Sequence, residues 1–173
     1  MAERLYFITG GARSGKSSYA ERLAESSSGR RAYVATAMAL DAEMVERIEA
    51  HRIRRGSKWR TFEEPLAVAE LLRKLSGCYD VLLLDCLTLW LSNIMAHSAG
   101  DNEVWLRVDD LVAALTEYKG TCIVVSNEVG LGIVPENPLA RRFRDFAGVI
   151  NQRIAQSADE VYLLASGIPM RLK

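Results

Sequence analysis

The sequence predicts an α/β fold: a mostly parallel central sheet covered by helices on both faces, in a three-layer sandwich. Two observations predict it. Short, continuously apolar runs alternate with longer segments of helical period, the pattern of strands buried on both faces and joined by crossover helices. No linker, repeat or low-complexity stretch interrupts that alternation, so residues 1–173 read as a single domain, long enough to bury a core without staples.

Leu5-Tyr6-Phe7-Ile8-Thr9 is a short buried strand, and a helix starts after it at Lys16-Ser17. Residues 31–36 form the next strand. Asp41 is suited to cap a helix to about Ala50, with Met44, Val45 and Ile48 on one face. Pro65 suits the first turn of a helix running to Gly77. Val81-Leu82-Leu83-Leu84-Asp85 is the clearest strand, apolar throughout and closed by a carboxylate. Helices over about 87–96 and 102–118 come next, then a strand over 121–126. A loop with Gly130, Gly132, Pro135 and Pro138 precedes a helix over about 139–157, and a strand over 160–165 is the last element expected. The apolar helix near Leu87–Met95 is expected to be exposed and to form part of an interface.

Composition excludes several classes. The 22 basic and 22 acidic side chains cancel, which argues against a nucleic-acid binder. No run approaches the roughly 18 apolar residues of a membrane span, and the first residues lead into a strand without a signal-like segment. Cys78, Cys86 and Cys122 form no CxxC pair, so reduced thiols serving as small core residues in a cytoplasmic protein are expected.

Chemistry enters with Gly10-Gly11-Ala12-Arg13-Ser14-Gly15-Lys16-Ser17, whose G-x-x-x-x-G-K-S spacing falls between a strand and a helix. Glycines let backbone N–H groups curl around phosphates, and the helix N-terminus adds positive potential. The fold expected is therefore of the P-loop NTPase type. Lys16 reaches the β- and γ-phosphates in such a loop, while Ser17 and a strand-end carboxylate, here Asp85, hold Mg²⁺. Taken alone, Asp85 also suits a helix cap. His51 precedes Arg52, Arg54, Arg55, Lys58 and Arg60. That cluster reads either as a solvated basic helix end or as a phosphate-facing set in which a neutral imidazole attacks phosphorus. His97 reads as a surface or capping residue, and Trp59 suits either packing beside the nucleotide or, as the preferred reading, the core. Glu128 suits either a capping role or contact with substrate or metal.

These motifs together resemble the bifunctional adenosylcobinamide kinase and adenosylcobinamide-phosphate guanylyltransferase family. Besides the phosphate loop, the resemblance rests on Tyr33-Val34-Ala35-Thr36-Ala37, His51-Arg52, Trp59-Arg60-Thr61 and Leu84-Asp85-Cys86-Leu87-Thr88. Its most specific part is Asn127-Glu128-Val129-Gly130-Leu131-Gly132-Ile133-Val134-Pro135. The resemblance implies a kinase step on adenosylcobinamide from ATP or GTP. A transferase step then moves GMP from GTP through a GMP-histidine to adenosylcobinamide phosphate. It makes His51 the histidine that carries GMP. It carries nucleotide contacts onto the loop from Gly10 to Ser17, onto Ala35, Thr36 and Ala37, onto Arg52, Ile53, Arg54 and Arg55, and onto Glu63 and Asp85. Some members have glutamate where this chain has Asp85. The resemblance also implies a homotrimer, and Asn127 with the loop after it is a candidate lining of the corrinoid site. Without the resemblance, the residues also fit a small-molecule kinase with no covalent intermediate, or a nucleotide switch.

Overall fold

The computed structural model describes residues 3–38 and 56–173. The helix expected over 41–50 and the site residues His51, Arg52, Ile53, Arg54 and Arg55 lie outside the described residues.

Seven strands form one sheet: β1 (Arg4–Gly10), β2 (Arg31–Ala35), β3 (Trp59–Glu63), β4 (Val81–Asp85), β5 (Thr121–Val125), β6 (Glu160–Ala165) and β7 (Ile168–Arg171). Their order is β3-β2-β4-β5-β1-β6-β7. All neighbours are parallel except β6 and β7, which are antiparallel. The helices are α1 (Lys16–Glu25), α2 (Val68–Leu75), α3 (Leu87–His97), α4 (Asp101–Thr116) and α5 (Pro138–Ser157).

The strands alternate their side chains between two cores. Leu5, Phe7, Val34, Leu82, Leu84 and Val124 pack with residues from α2, α3, α4 and α5. Ile8, Tyr33, Leu83, Ile123 and Val125 pack on the opposite face with Ala20 and Ala24 of α1. Leu82, Leu83 and Leu84 are consecutive and all fully buried, which only a sheet covered on both faces permits. Truncating any of them to alanine in such a core costs about 2–5 kcal/mol.

Several boundaries depart from expectation for identifiable reasons. Helix α2 starts at Val68 rather than at Pro65. The Glu64 carboxylate accepts the N–H groups of Leu66 (3.0 Å) and Ala67 (2.8 Å), forming a turn before the helix. Helix α5 starts at Pro138, where Asn137 caps it by accepting from Leu139 and Ala140 N–H at 2.8 and 3.1 Å. Helix α3 is not an exposed apolar helix: Leu87, Trp90, Leu91 and Ile94 are buried in the first core, and the Trp90 indole donates to the Leu66 carbonyl at 3.1 Å. Its apolar character belongs to the interior of this chain, which removes the ground for placing an interface there. Of the thiols, Cys86 and Cys122 are buried but Cys78 is exposed, since it comes just after the end of α2.

Strands β3 and β7 were not expected. β3 is a short edge strand hidden in a basic stretch, with Trp59 buried and Arg60 and Glu63 exposed. β7 returns from β6 through a two-residue turn in which Ser166 (φ 50°) and Gly167 (φ 83°) both have positive φ, the geometry of the tight hairpin.

Candidate active site

Parallel register brings the carboxyl ends of the strands to one edge, where α/β sheets bind ligands. β1 ends at Gly10 and α1 begins at Lys16, so the glycine-rich stretch is the loop between them. Gly15 is the N-cap of α1 with φ 95°, and among the described residues no side chain caps this helix start. Its first N–H groups are thus directed at the loop, as anion binding requires. The Ser14 N–H donates to Gly11 O at 3.3 Å to close the turn. Lys16 is only 7% exposed, and its ammonium donates to Gly11 O at 2.6 Å. A buried ammonium held by the loop's own carbonyl is a point charge aimed into the cradle.

The loop is braced from the far side by β6 and β7. A side chain at Gly10 has no room: its Cβ would stand 2.4 Å from Leu164 O. At the hairpin turn, the Gly167 N–H donates to Ser14 O at 2.9 Å.

On the other side, Ala35 is level with Glu63 of β3 and with Asp85 of β4. Three of the residues singled out from the sequence thus stand in one row across adjacent strands. Glu63 is exposed and Asp85 half-buried. The Tyr33 hydroxyl donates to Asp85 Oδ2 at 2.8 Å, and the Tyr33 ring packs edge-on against Trp59 at 6.1 Å. Thr36 is completely buried. Its Oγ1 donates to Cys86 O at 2.7 Å and accepts the Cys86 N–H at 2.9 Å. The side chain of Thr36 therefore clamps β2 to the end of β4 and is not presented at the edge; Ala37, next along, is half-exposed. Asn93 of α3 fixes the same turn from behind, donating to Thr36 O (2.8 Å) and Pro65 O (3.1 Å).

Sequence reasoning gave Tyr33 and Asn93 no role. The tyrosine resembles any β-strand aromatic, and the asparagine sits inside a helical segment, so neither carries a local signal. Trp59 is a core residue, as expected, though its indole N–H has no hydrogen-bond partner among the described residues. His97 ends α3 on the surface with Nδ1 2.8 Å from Asn93 O, a capping contact.

The residues present fit Mg²⁺. Ser17 lies in the first turn of α1, which packs on β4, the strand ended by Asp85. Among the described residues no group of three or more His, Cys, Asp or Glu gathers at one point. Mg²⁺ suits such a sparse donor set, because it binds through one or two protein oxygens and completes its shell with phosphates and water.

Comparison with known proteins agrees with this geometry. Two solved structures show the fold: a KaiC-like protein from Pyrococcus horikoshii (TM-score 0.50, 15% identity, covering 92% of this chain and 70% of that one), and an ATPase of a bacterial type III secretion system (TM-score 0.58, 11% identity, covering 92% of this chain and 50% of that one). Among curated proteins, the bifunctional adenosylcobalamin biosynthesis protein CobP of Pseudomonas aeruginosa is 47% identical, with 96% of this chain and 95% of the relative aligned. The corresponding CobU of Escherichia coli is 40% identical over 98% of this chain and 99% of its own length. CobU of Salmonella typhimurium is 41% identical over the same shares of the two chains. The family model described as cobinamide kinase / cobinamide phosphate guanyltransferase matches residues 6–172. With its phosphate loop, its Asp85 row and this match along nearly its whole length, the chain belongs to the cobinamide kinase / cobinamide phosphate guanyltransferase family.

Proposed function

We propose that this chain catalyses two consecutive steps of cobalamin biosynthesis. It phosphorylates the hydroxyl of adenosylcobinamide from ATP or GTP, then transfers GMP from GTP to the new phosphate, giving adenosylcobinamide-GDP. The observation that carries this reading is the family match over residues 6–172.

The loop from Gly10 to Ser17, including Ala12, Arg13 and Ser14, cradles the phosphates with its N–H groups, and Lys16 neutralises charge that develops on them. Ser17 and Asp85 would hold Mg²⁺, which would supply positive charge to offset that of the phosphates. Ala35, Ala37 and Glu63 line the nucleoside side of the row, with Arg52, Ile53, Arg54 and Arg55 completing the nucleotide contacts. His51 is the nucleophile of the second reaction. One imidazole nitrogen attacks the α-phosphorus of GTP, the N–P bond forms, and pyrophosphate leaves with the electron pair of the broken P–O bond. A phosphate oxygen of adenosylcobinamide phosphate then attacks the same phosphorus and releases His51. Splitting the transfer into two displacements is the advantage of a covalent intermediate. The reading includes a homotrimer in the cytoplasm with no nucleic-acid partner; among the described residues no helix is long and apolar enough to cross a membrane.

Incubation with Mg²⁺ and α-³²P-GTP tests this, with γ-³²P-GTP as control. Acid-labile label on the protein is expected from the α position only, and none in His51→Ala. Label that persists in His51→Ala, or no label from α-³²P-GTP in the wild type, would overturn the assignment.

A further inference from the structure

Strand β5 lies between β1, which leads into the phosphate loop, and β4, which ends at Asp85. Val125 at its end is level with Ile8 on one side and Asp85 on the other. The chain leaving β5 therefore emerges between the phosphate cradle and the metal-side carboxylate. Three polar residues stand there. Ser126 is buried and donates to Asn151 Oδ1 at 2.7 Å, and Asn127 donates to Thr88 Oγ1 at 2.9 Å. Both are spent on holding the loop. The third, Glu128, is pinned to the cradle by its backbone, whose N–H donates to Gly10 O at 2.9 Å. Its half-exposed carboxylate accepts the Gly130 N–H on Oε1 at 2.7 Å. Among the described residues it has no ion-pair partner.

Beyond Glu128 the chain turns apolar and outward: Leu131, Ile133 and Val134 are 86%, 97% and 56% exposed. Exposed apolar side chains on the loop that follows Glu128 suit a large acceptor whose reacting group must be delivered to the phosphate.

We propose that Glu128 is the proton acceptor of the kinase step, an assignment that rests on the function proposed above. As the acceptor alcohol oxygen attacks the γ-phosphorus, a new O–P bond forms. The bond from phosphorus to the β–γ bridging oxygen breaks, and the nucleoside diphosphate leaves with its electron pair. The alcohol proton passes to the Glu128 carboxylate. Lys16 is a cation and cannot take it. Asp85 already accepts from Tyr33 and serves the metal side. The second reaction needs no such base, because its acceptor is a phosphate oxygen that is already ionised.

The test is a pair of variants in two assays. In Glu128→Gln the amide oxygen still accepts the Gly130 N–H, so the turn is kept while basicity is lost. With γ-³²P-ATP and adenosylcobinamide, its kcat should fall about a hundredfold or more. Its KM values should stay within about threefold of wild type, as for a group acting in the transition state. Protein labelling from α-³²P-GTP should stay near the wild-type level. If Glu128→Gln keeps its kcat while Glu128→Ala loses it, Glu128 is a turn residue and the proposal is overturned. Equal loss of kinase activity and labelling in Glu128→Gln, by damage to the cradle, would also overturn it. Wild-type protein that phosphorylates no cobinamide would instead overturn the function on which the assignment rests, and the assignment with it.

Discussion

The Tyr33 hydroxyl donates a 2.8 Å hydrogen bond to Asp85 Oδ2, joining neighbouring strands at the carboxyl end of the sheet, where the Mg²⁺ site is proposed. A donor fixed in the core by Trp59 holds one carboxylate oxygen in place. Outer partners of this kind set the orientation of a metal ligand. Tyr33→Phe should therefore weaken Mg²⁺ binding by about tenfold, at a stability cost of only about 1 kcal/mol. Mn²⁺ titration followed by electron paramagnetic resonance, beside thermal melts, checks both. Unchanged Mn²⁺ affinity would reduce Tyr33 to a packing residue.

Thr36 is wholly buried and exchanges two hydrogen bonds with the backbone of Cys86. Cys86 O also accepts the Trp90 N–H at 3.1 Å, so Thr36→Val strands only the Cys86 N–H. The loss should be about 2 kcal/mol, seen as a lower urea midpoint at unchanged slope. Thr36→Ser should recover most of it.

How much of this was legible in the sequence varied with the physics of each element. Val81–Leu84 of β4 and Cys122–Val125 of β5 are continuously apolar because both faces are covered, and runs this short bounded by turn residues read as buried strands. The phosphate loop is equally plain, since its backbone path requires glycines at fixed spacing. β3 is not legible in the sequence, because a short edge strand with one buried residue in Trp59-Arg60-Thr61 resembles any charged stretch. β7 has a local signal in the sequence: Ser166-Gly167 between two apolar runs is a hairpin turn. Helix α3 was legible as a helix but not as a buried one, because an all-round apolar helix suits an interface and a core alike. Tyr33, Asn93 and Thr36 owe their positions to contacts between distant segments, which no local pattern encodes.

Gly10→Ala should destabilise the fold by roughly 2 kcal/mol or more through overpacking against Leu164 O. The backbone at Gly10 (φ 149°) is also one that other residues rarely adopt. Nucleotide affinity should fall with stability, so isothermal titration with GTP and a thermal melt together check it. A wild-type melting temperature would show that β6 can withdraw from the loop.

On the proposal that both reactions use the cradle, Lys16→Ala should lower both γ-phosphoryl transfer and labelling from α-³²P-GTP by about a hundredfold or more. Circular dichroism should show an intact fold. A variant that loses only one activity would indicate that the two reactions hold their phosphates in different places.

Burial pushes the Cys122 thiol well above its ordinary range, and burial with the neighbouring Asp85 carboxylate raises that of Cys86. Because the thiolate is the reactive species, native protein should take up one equivalent of iodoacetamide near neutral pH, at Cys78. Denatured protein should take up all three. Both shifts favour the protonated thiol in the fold, so their contribution is complete below the ordinary thiol value and is lost as pH rises above it. Labelled peptides identified by mass spectrometry decide the matter; Cys122 modified in the native state would contradict the packing described.

The bond from Gly167 to Ser14 ties the last hairpin to the first loop. Protein synthesis runs from one to the other, so the ribosome delivers the phosphate-binding residues early and the brace that completes them late. A nascent chain carries the whole nucleotide motif through most of its elongation without the contact that steadies it. A message cut short before Gly167 yields a product that has the motif and lacks this hydrogen bond to Ser14.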